Sequence, residues 1–335
     1  MYITFYLDDR RVIARLWLFL AMLFLTACGG GSSGSDGVIS PPPGDAGGNT
    51  APPASVDSFS TAGVLCDYAH NVFNDDESVN TTSDATWSCN DQERSLNGNG
   101  VPDHEVGTFP NEGNPNQIAQ QNIQINFPLE PSLVSNEGER ARIVGYALNS
   151  VKFDPGTAGS CSSDTNCSLI DPSGAWSIEA LGQTAFDFGD DMNNAHVQPT
   201  GAYHYHGMPE RFLEVLSANE SITLVGWALD GFPLYARYGY ADAEDAESEI
   251  KVLTSSWRLK EAPDSGRPDV ELYEMGTFSQ DFEYVEGSGD LDECNGRRGV
   301  TPEFPDGIYY LLVTDSFPFI GRCLKGEFEQ SQGPP

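Results

Sequence analysis

Val144-Gly-Tyr-Ala-Leu-Asn-Ser-Val151 is matched later in the chain by Val225-Gly-Trp-Ala-Leu-Asp-Gly-Phe232. Each copy reads as an apolar, aromatic-bearing strand that runs into an Asn or Asp turn. A second echo follows. Pro199-Thr-Gly-Ala-Tyr-His-Tyr-His206 parallels Pro305-Asp-Gly-Ile-Tyr-Tyr-Leu-Leu312. Both open on Pro-x-Gly, a type II turn signal, and enter a tyrosine-bearing strand. Tyr310 stands where His204 is, and Leu312 where His206 is. The strand recurs while the histidines do not, which points to histidines placed for chemistry.

The remaining apolar segments, such as Ile123-Gln-Ile-Asn-Phe127, are short, β-branched or aromatic, and separated by Gly, Pro and Asn. Met208-Pro-Glu-Arg-Phe-Leu-Glu-Val-Leu216 is the best helical stretch. Pro209 falls in its first turn, and Phe212, Leu213 and Leu216 fall on one face. The expectation is a mainly β body, sandwich- or barrel-like, with internal strand repeats, a few short helices and disulfides.

Fifty acidic against seventeen basic residues give the 335-residue chain a formal charge of −33. That charge argues against nucleic acid as a partner and suits a heavily hydrated surface. Near the start, Arg10, Arg11 and Arg15 flank the apolar run 16–25, which is short for a bilayer span. Leu25-Thr-Ala-Cys28 then resembles the lipobox of bacterial lipoproteins. The resemblance implies cleavage before Cys28 and acylation of that cysteine, with the lipid bilayer as partner. Gly29 after it fits sorting to the outer membrane of a Gram-negative cell envelope. The expected organisation is therefore a signal peptide over 1–27 and a lipidated, Gly/Ser/Pro-rich tether over 28–60. A folded domain with a disulfide-bearing N-terminal extension follows over 61–326, and a polar tail over 327–335.

Cys66, Cys89, Cys161, Cys167, Cys294 and Cys323 remain. An even count in an exported chain reads as three disulfides. Proximity in sequence favours Cys66–Cys89, Cys161–Cys167 and Cys294–Cys323 among the connectivities that six cysteines permit.

The chain has five histidines, and His196, His204 and His206 fall within residues 193–207. On a strand, Tyr203 and Tyr205 face one way and His204 and His206 the other. Histidines two apart sit about 6.5–7 Å apart along a strand and can converge on one ion, with His196 returning as a third ligand. His104 is a further candidate. Three imidazoles leave a coordination position open, and four close the site. Nitrogen-only ligation suits a transition metal, here copper or zinc, rather than calcium or magnesium. The competing reading is a buried Tyr/His hydrogen-bond network without metal. His70 has no companions and reads as a surface or cap residue.

Asp187, Asp190 and Asp191 precede the histidines, and one of them can orient an imidazole by accepting its second N–H. Asp230 and Tyr205 are the candidates for a catalytic role, although Asp230-Gly231 is also an ordinary turn dipeptide. Asp290, Asp292 and Glu293 lack the spacing of an EF-hand loop. Arg297 and Arg322 read as structural partners of carboxylates. No Gly-x-Ser-x-Gly elbow, phosphate loop or His-Glu-x-x-His motif is present.

Tyr203-His-Tyr-His206 is the motif that names the YHYH domain of exported bacterial proteins. The chain also resembles that family through Gly100-Val-Pro-Asp-His-Glu-Val-Gly107 and Asn194-Ala-His-Val-Gln-Pro199. The likeness continues in Trp227-Ala-Leu-Asp-Gly-Phe-Pro-Leu-Tyr235 and Phe317-Pro-Phe-Ile-Gly-Arg-Cys323. Members often carry His-Tyr in the strand matching 309–312, which this chain lacks. The resemblance implies no catalytic assignment. Three functions stay open: metal binding for storage, sensing or sequestration; a metal-dependent hydrolase or oxidase on an extracellular substrate; and a non-catalytic structural or ligand-binding module.

Overall fold

The computed structural model describes residues 58–135 and 137–329. The signal peptide, Cys28, most of the tether and the last six residues lie outside them. Ser58 already bridges Ser132, and the Phe59 amide donates to the Pro131 carbonyl at 2.8 Å. Phe59 also packs edge-on against Phe232. The last three residues assigned to the tether thus belong to the body, as does Phe328 of the tail, which packs on the core. No helix among the described residues is long and apolar enough to cross a membrane.

The body is mainly β. A four-stranded meander comes first: β1 (Asp67–Asn74), β2 (Thr81–Cys89), β3 (Glu93–Gly98) and β4 (Ile123–Pro128), each antiparallel to the next. Trp87 from β2 is buried and donates its indole N–H to the Leu148 carbonyl at 3.0 Å. Its apolar face therefore closes on the larger sheet while its one polar atom stays satisfied.

That larger sheet has eight strands and curls into half a barrel. They are β5 (Gly145–Ala147), β6 (Lys152–Phe153), β7 (Ala195–Val197), β8 (Tyr203–Tyr205), β9 (Thr223–Ala228), β10 (Pro233–Ala236), β11 (Gly296–Gly299) and β12 (Ile308–Val313). Their order across the sheet is β7-β8-β6-β5-β9-β10-β12-β11. From either end it describes the same unit: an antiparallel pair, a parallel step, then an antiparallel hairpin that meets its twin at the centre. The first echo supplies the two central strands, which pair with each other, and the second supplies β8 and β12.

Hydrogen bonds repeat with the strands. Leu148 N donates to Val225 O and Leu229 N to Val144 O, both at 2.9 Å. Close approach at the centre explains two glycines. A Cβ on Gly145 would lie 2.2 Å from the Trp227 carbonyl oxygen, and one on Gly226 would lie 2.2 Å from that of Tyr146. No L side chain fits either place.

The helix is one short turn, α1 (Glu210–Val215), entered from Pro209 and burying Phe212 and Leu213. The disulfides pair as proximity in sequence suggests: Cys66–Cys89, Cys161–Cys167 and Cys294–Cys323.

Candidate metal centre

β7 and β8 form the hairpin that carries the histidines, with His196 directly opposite His204. Gly201 makes the connecting turn possible. Its φ is +86°, and a Cβ there would lie 2.5 Å from that of Ala119. Asn194, at φ +51°, turns the chain into β7, and its carbonyl accepts from the His206 amide at 2.7 Å. Asn tolerates that left-handed backbone better than most residues, so His206 is held just past the end of β8.

The result is a nearly equilateral triangle. Ring centroids are 4.6 Å apart for His196 and His204, 4.5 Å for His196 and His206, and 4.6 Å for His204 and His206. One ligand atom from each ring lies within 4.8 Å of the others, so the three could hold a metal ion. His204 is 1 % exposed, His206 2 % and His196 8 %. Burial, followed by the charges of neighbouring histidines, holds the His204 and His206 imidazoles well below their ordinary value. Both are neutral near pH 7 and have a lone pair to offer.

The outer nitrogens show which lone pair that is. His204 Nδ1 lies 3.2 Å from the Ala202 carbonyl oxygen, to which it can only donate. His196 Nδ1 lies 2.8 Å from Asp190 Oδ1, an ion-pair distance whose angle falls outside hydrogen-bond geometry. Protons at these two positions leave Nε2 as the acceptor on each ring. His206 Nε2 stands 3.1 Å from His196 Nε2, and the His206 ring also interacts with the Asp154 backbone. With its proton on Nδ1, His206 would turn a third lone pair towards the same centre; with it on Nε2, it would donate to His196.

Several other polar residues flank the cluster. Lys152 on β6 is opposite His204 in the parallel pairing, so His196, His204 and Lys152 form a row across β7, β8 and β6. Lys152 Nζ donates to Asp154 Oδ2 at 3.1 Å and to Gln198 Oε1 at 2.8 Å. Gln198 Nε2 in turn donates to Asp154 Oδ2 at 3.2 Å.

His104 is not in the cluster, which corrects its candidacy as a further ligand. The alternation that gathers the histidines sends Tyr203 and Tyr205 to the opposite face, and His104 meets them there. Its Nδ1 faces the Glu105 carbonyl at 2.9 Å, and its Nε2 accepts from Tyr205 Oη at 2.6 Å. Burial lowers its pKa as well, in keeping with a neutral ring in a closed network. Tyr205 also accepts from Asn149 Nδ2 at 3.0 Å and is fully buried, so its hydroxyl is engaged in a closed hydrogen-bond network.

Asp230 lies at the Asn149 position of the other unit, away from the histidines. Its oxygens accept from the Phe232 amide at 3.4 Å and the Gly326 amide at 3.0 Å. It is a turn residue, with burial pushing its carboxyl up to about 6.

Asp290 pairs with Lys251, while Asp292 and Glu293 pair with Lys325. Arg322 pairs with Glu179, and Arg297 donates to Tyr310 Oη at 2.6 Å, both structural partnerships. His70 sits on β1 and meets Ser83 Oγ at 3.0 Å. Of the three aspartates before the histidines, Asp190 reaches His196. Asp191 instead accepts from Tyr203 Oη at 2.7 Å.

Lys152, Asp154 and Gln198 were not singled out by the sequence. The signal existed in Lys152-Phe-Asp154, which continues the first echo but departs from Pro233-Leu-Tyr235 in its polar residues.

A family model described as YHYH protein matches residues 124–326, a span that includes all eight strands of the curled sheet and every histidine of the cluster. The chain belongs to the YHYH family. No curated protein and no solved structure gave a significant match. His104 lies before the YHYH match, and the triangle of His196, His204 and His206 lies inside it.

Proposed function

We propose that this YHYH protein is a lipid-anchored protein of the bacterial cell envelope that binds one transition-metal ion, copper or zinc, through His196, His204 and His206. The observation that carries the reading is a buried triangle of imidazoles with one ligand atom from each ring within 4.8 Å of the others, His196 and His204 turning Nδ1 outward. A divalent cation at that centre satisfies every inward lone pair at once. The competing reading, a hydrogen-bonded core without metal, has one of the two facing nitrogens of His196 and His206 donate to the other.

Burial of the cluster favours retention of an ion over turnover of a large substrate. The residues suggested for catalysis, Asp230 and Tyr205, are engaged elsewhere. Storage, sensing or sequestration therefore fits better than hydrolase or oxidase chemistry on a polymer. The lipobox-like Leu25-Thr-Ala-Cys28 and the −33 charge support an exported, membrane-tethered setting.

Elemental analysis of protein exported and purified without added metal tests the reading, alongside the His204→Ala/His206→Ala double variant. About one equivalent of copper or zinc is expected in the first and none in the second. Equal metal content in the two sinks it. Anchoring is tested separately: Cys28→Ser should release the protein from the membrane fraction.

A further inference from the structure

The two four-strand units allow each residue near the histidines to be compared with its counterpart in a unit that lacks them. Asp191, Tyr203 and Asn194 correspond to Asp292, Tyr309 and Asn295, and their bonds repeat. Tyr203 Oη donates to Asp191 Oδ2 at 2.7 Å, and Tyr309 Oη to Asp292 Oδ2 at 3.0 Å. The Asn194 and Asn295 amides donate to the carbonyls of Asp191 and Asp292, both at 3.0 Å. These residues build the fold. His196, His204 and His206 correspond to Arg297, Tyr310 and Leu312. In the same registers, Lys152, Asp154, Gln198 and Asp190 correspond to Pro233, Tyr235, Gly299 and Leu291. The charged cluster beside the histidines is thus dispensable to the fold, and the sister unit lacks it.

Keeping Lys152 and Asp154 nearly buried carries a desolvation cost that an apolar pair would avoid, so a role at the site is called for. Charge indicates which role. A divalent ion on three neutral imidazoles has one outer carboxylate, Asp190, while Lys152 and Asp154 cancel. One positive charge stays uncompensated in a buried place, which is unfavourable. Three nitrogens also leave a four-coordinate ion one ligand short.

Resting on the metal reading above, we infer that the centre takes a small inorganic anion as its remaining ligand, with Lys152 as the residue that positions it. Lys152 sits in the row beside His204, and its ammonium has three donors, of which Asp154 and Gln198 take two. Side-chain exposures of 10 % for Lys152, 15 % for Asp154 and 11 % for His196 put the small solvent-exposed area of the cluster on this side. So little exposed area suits an anion of a few atoms.

The test uses the full chain loaded with copper(II), its metal content checked first, and titrated with sodium azide while the visible absorption spectrum is followed. A saturable spectral change is expected for the wild type. In Lys152→Met, metal content should be unchanged and azide affinity about tenfold weaker, or more. That substitution leaves Asp154 without its cation, so Lys152→Met/Asp154→Leu, which removes the pair together, is measured as well and should show the same weakening. An unperturbed wild-type spectrum overturns the inference, as does wild-type azide affinity in both variants. Failure of the wild type to take up either copper or zinc would instead overturn the metal reading, and it is registered before azide is added.

Discussion

Asp190 Oδ1 lies 2.8 Å from His196 Nδ1, and in the sister unit the same place is taken by Leu291. The neighbouring Asp191 has an acidic counterpart, Asp292, with the same tyrosine partner. Adjacent aspartates thus reach the histidine triangle and the Tyr203 hydroxyl respectively. Asp190→Asn should lower metal affinity about 10–100-fold, the usual effect of losing an outer carboxylate on a ligand histidine, with little change in stability without metal. Asp191→Ala should do the reverse. It strands the buried Tyr203 hydroxyl at a cost of about 1–3 kcal/mol and leaves affinity for metal near wild type. Competition with a chromophoric chelator, together with urea unfolding of the metal-free proteins, separates the two.

Tyr205 and His104 are predicted to stabilise the body without touching the metal. Tyr205→Phe removes the donor to His104 Nε2 and the acceptor for Asn149 Nδ2. Buried groups left unpaired this way cost about 1–3 kcal/mol. The urea midpoint should fall while metal content holds at its wild-type value. Loss of metal with unchanged stability would contradict the placement of these two residues on the far face.

Asp230 gives the stability a particular pH dependence. Its folded carboxyl is pushed up to about 6 by burial, above the ordinary 3.8, so the folded chain holds this proton more tightly than the unfolded one. The stabilisation is complete below about pH 4 and is lost as pH rises through about 6, on the order of 2–3 kcal/mol. Asp230→Asn should cancel that slope. Its amide can still accept from Phe232 but cannot accept from Gly326 as the second carboxylate oxygen does, so it starts from lower stability at low pH. Urea unfolding of both proteins at several pH values between about 4 and 7 checks this. A constant difference between them would refute it.

The central strand pair predicts matched effects at two distant positions. Gly145→Ala and Gly226→Ala each drive a methyl into a carbonyl oxygen across the β5–β9 pair. Each should cost about 1–3 kcal/mol or more, by similar amounts, because the sheet places them in equivalent sites. Thermal unfolding of the two variants side by side is the measurement. Tolerance of either alanine would break the equivalence of the units.

Much of the fold was legible because it is repeated. Strand periodicity and turn residues are local, and a local pattern that occurs twice is easy to see in Val144–Val151 and Val225–Phe232. The disulfides were legible for a related reason, since each joins cysteines near in sequence. His104 was misread because residue type alone says nothing about which face of β8 it meets, and it meets the tyrosines. Lys152 and Gln198 were overlooked because each is an ordinary residue until the parallel β6–β8 step sets it beside His204.

The sequence by itself determined the β class, the paired units and that His204 and His206 share a face, since alternation along Tyr203-His-Tyr-His206 assigns faces by backbone geometry alone. Only the tertiary structure decided that His196 closes the triangle, that Asp190 rather than Asp191 supports it, and that Lys152, Asp154 and Gln198 stand beside it. Those relations depend on strand register and on backbone turns at Asn194 and Gly201. They bring together residues far apart in the chain, which no local pattern encodes.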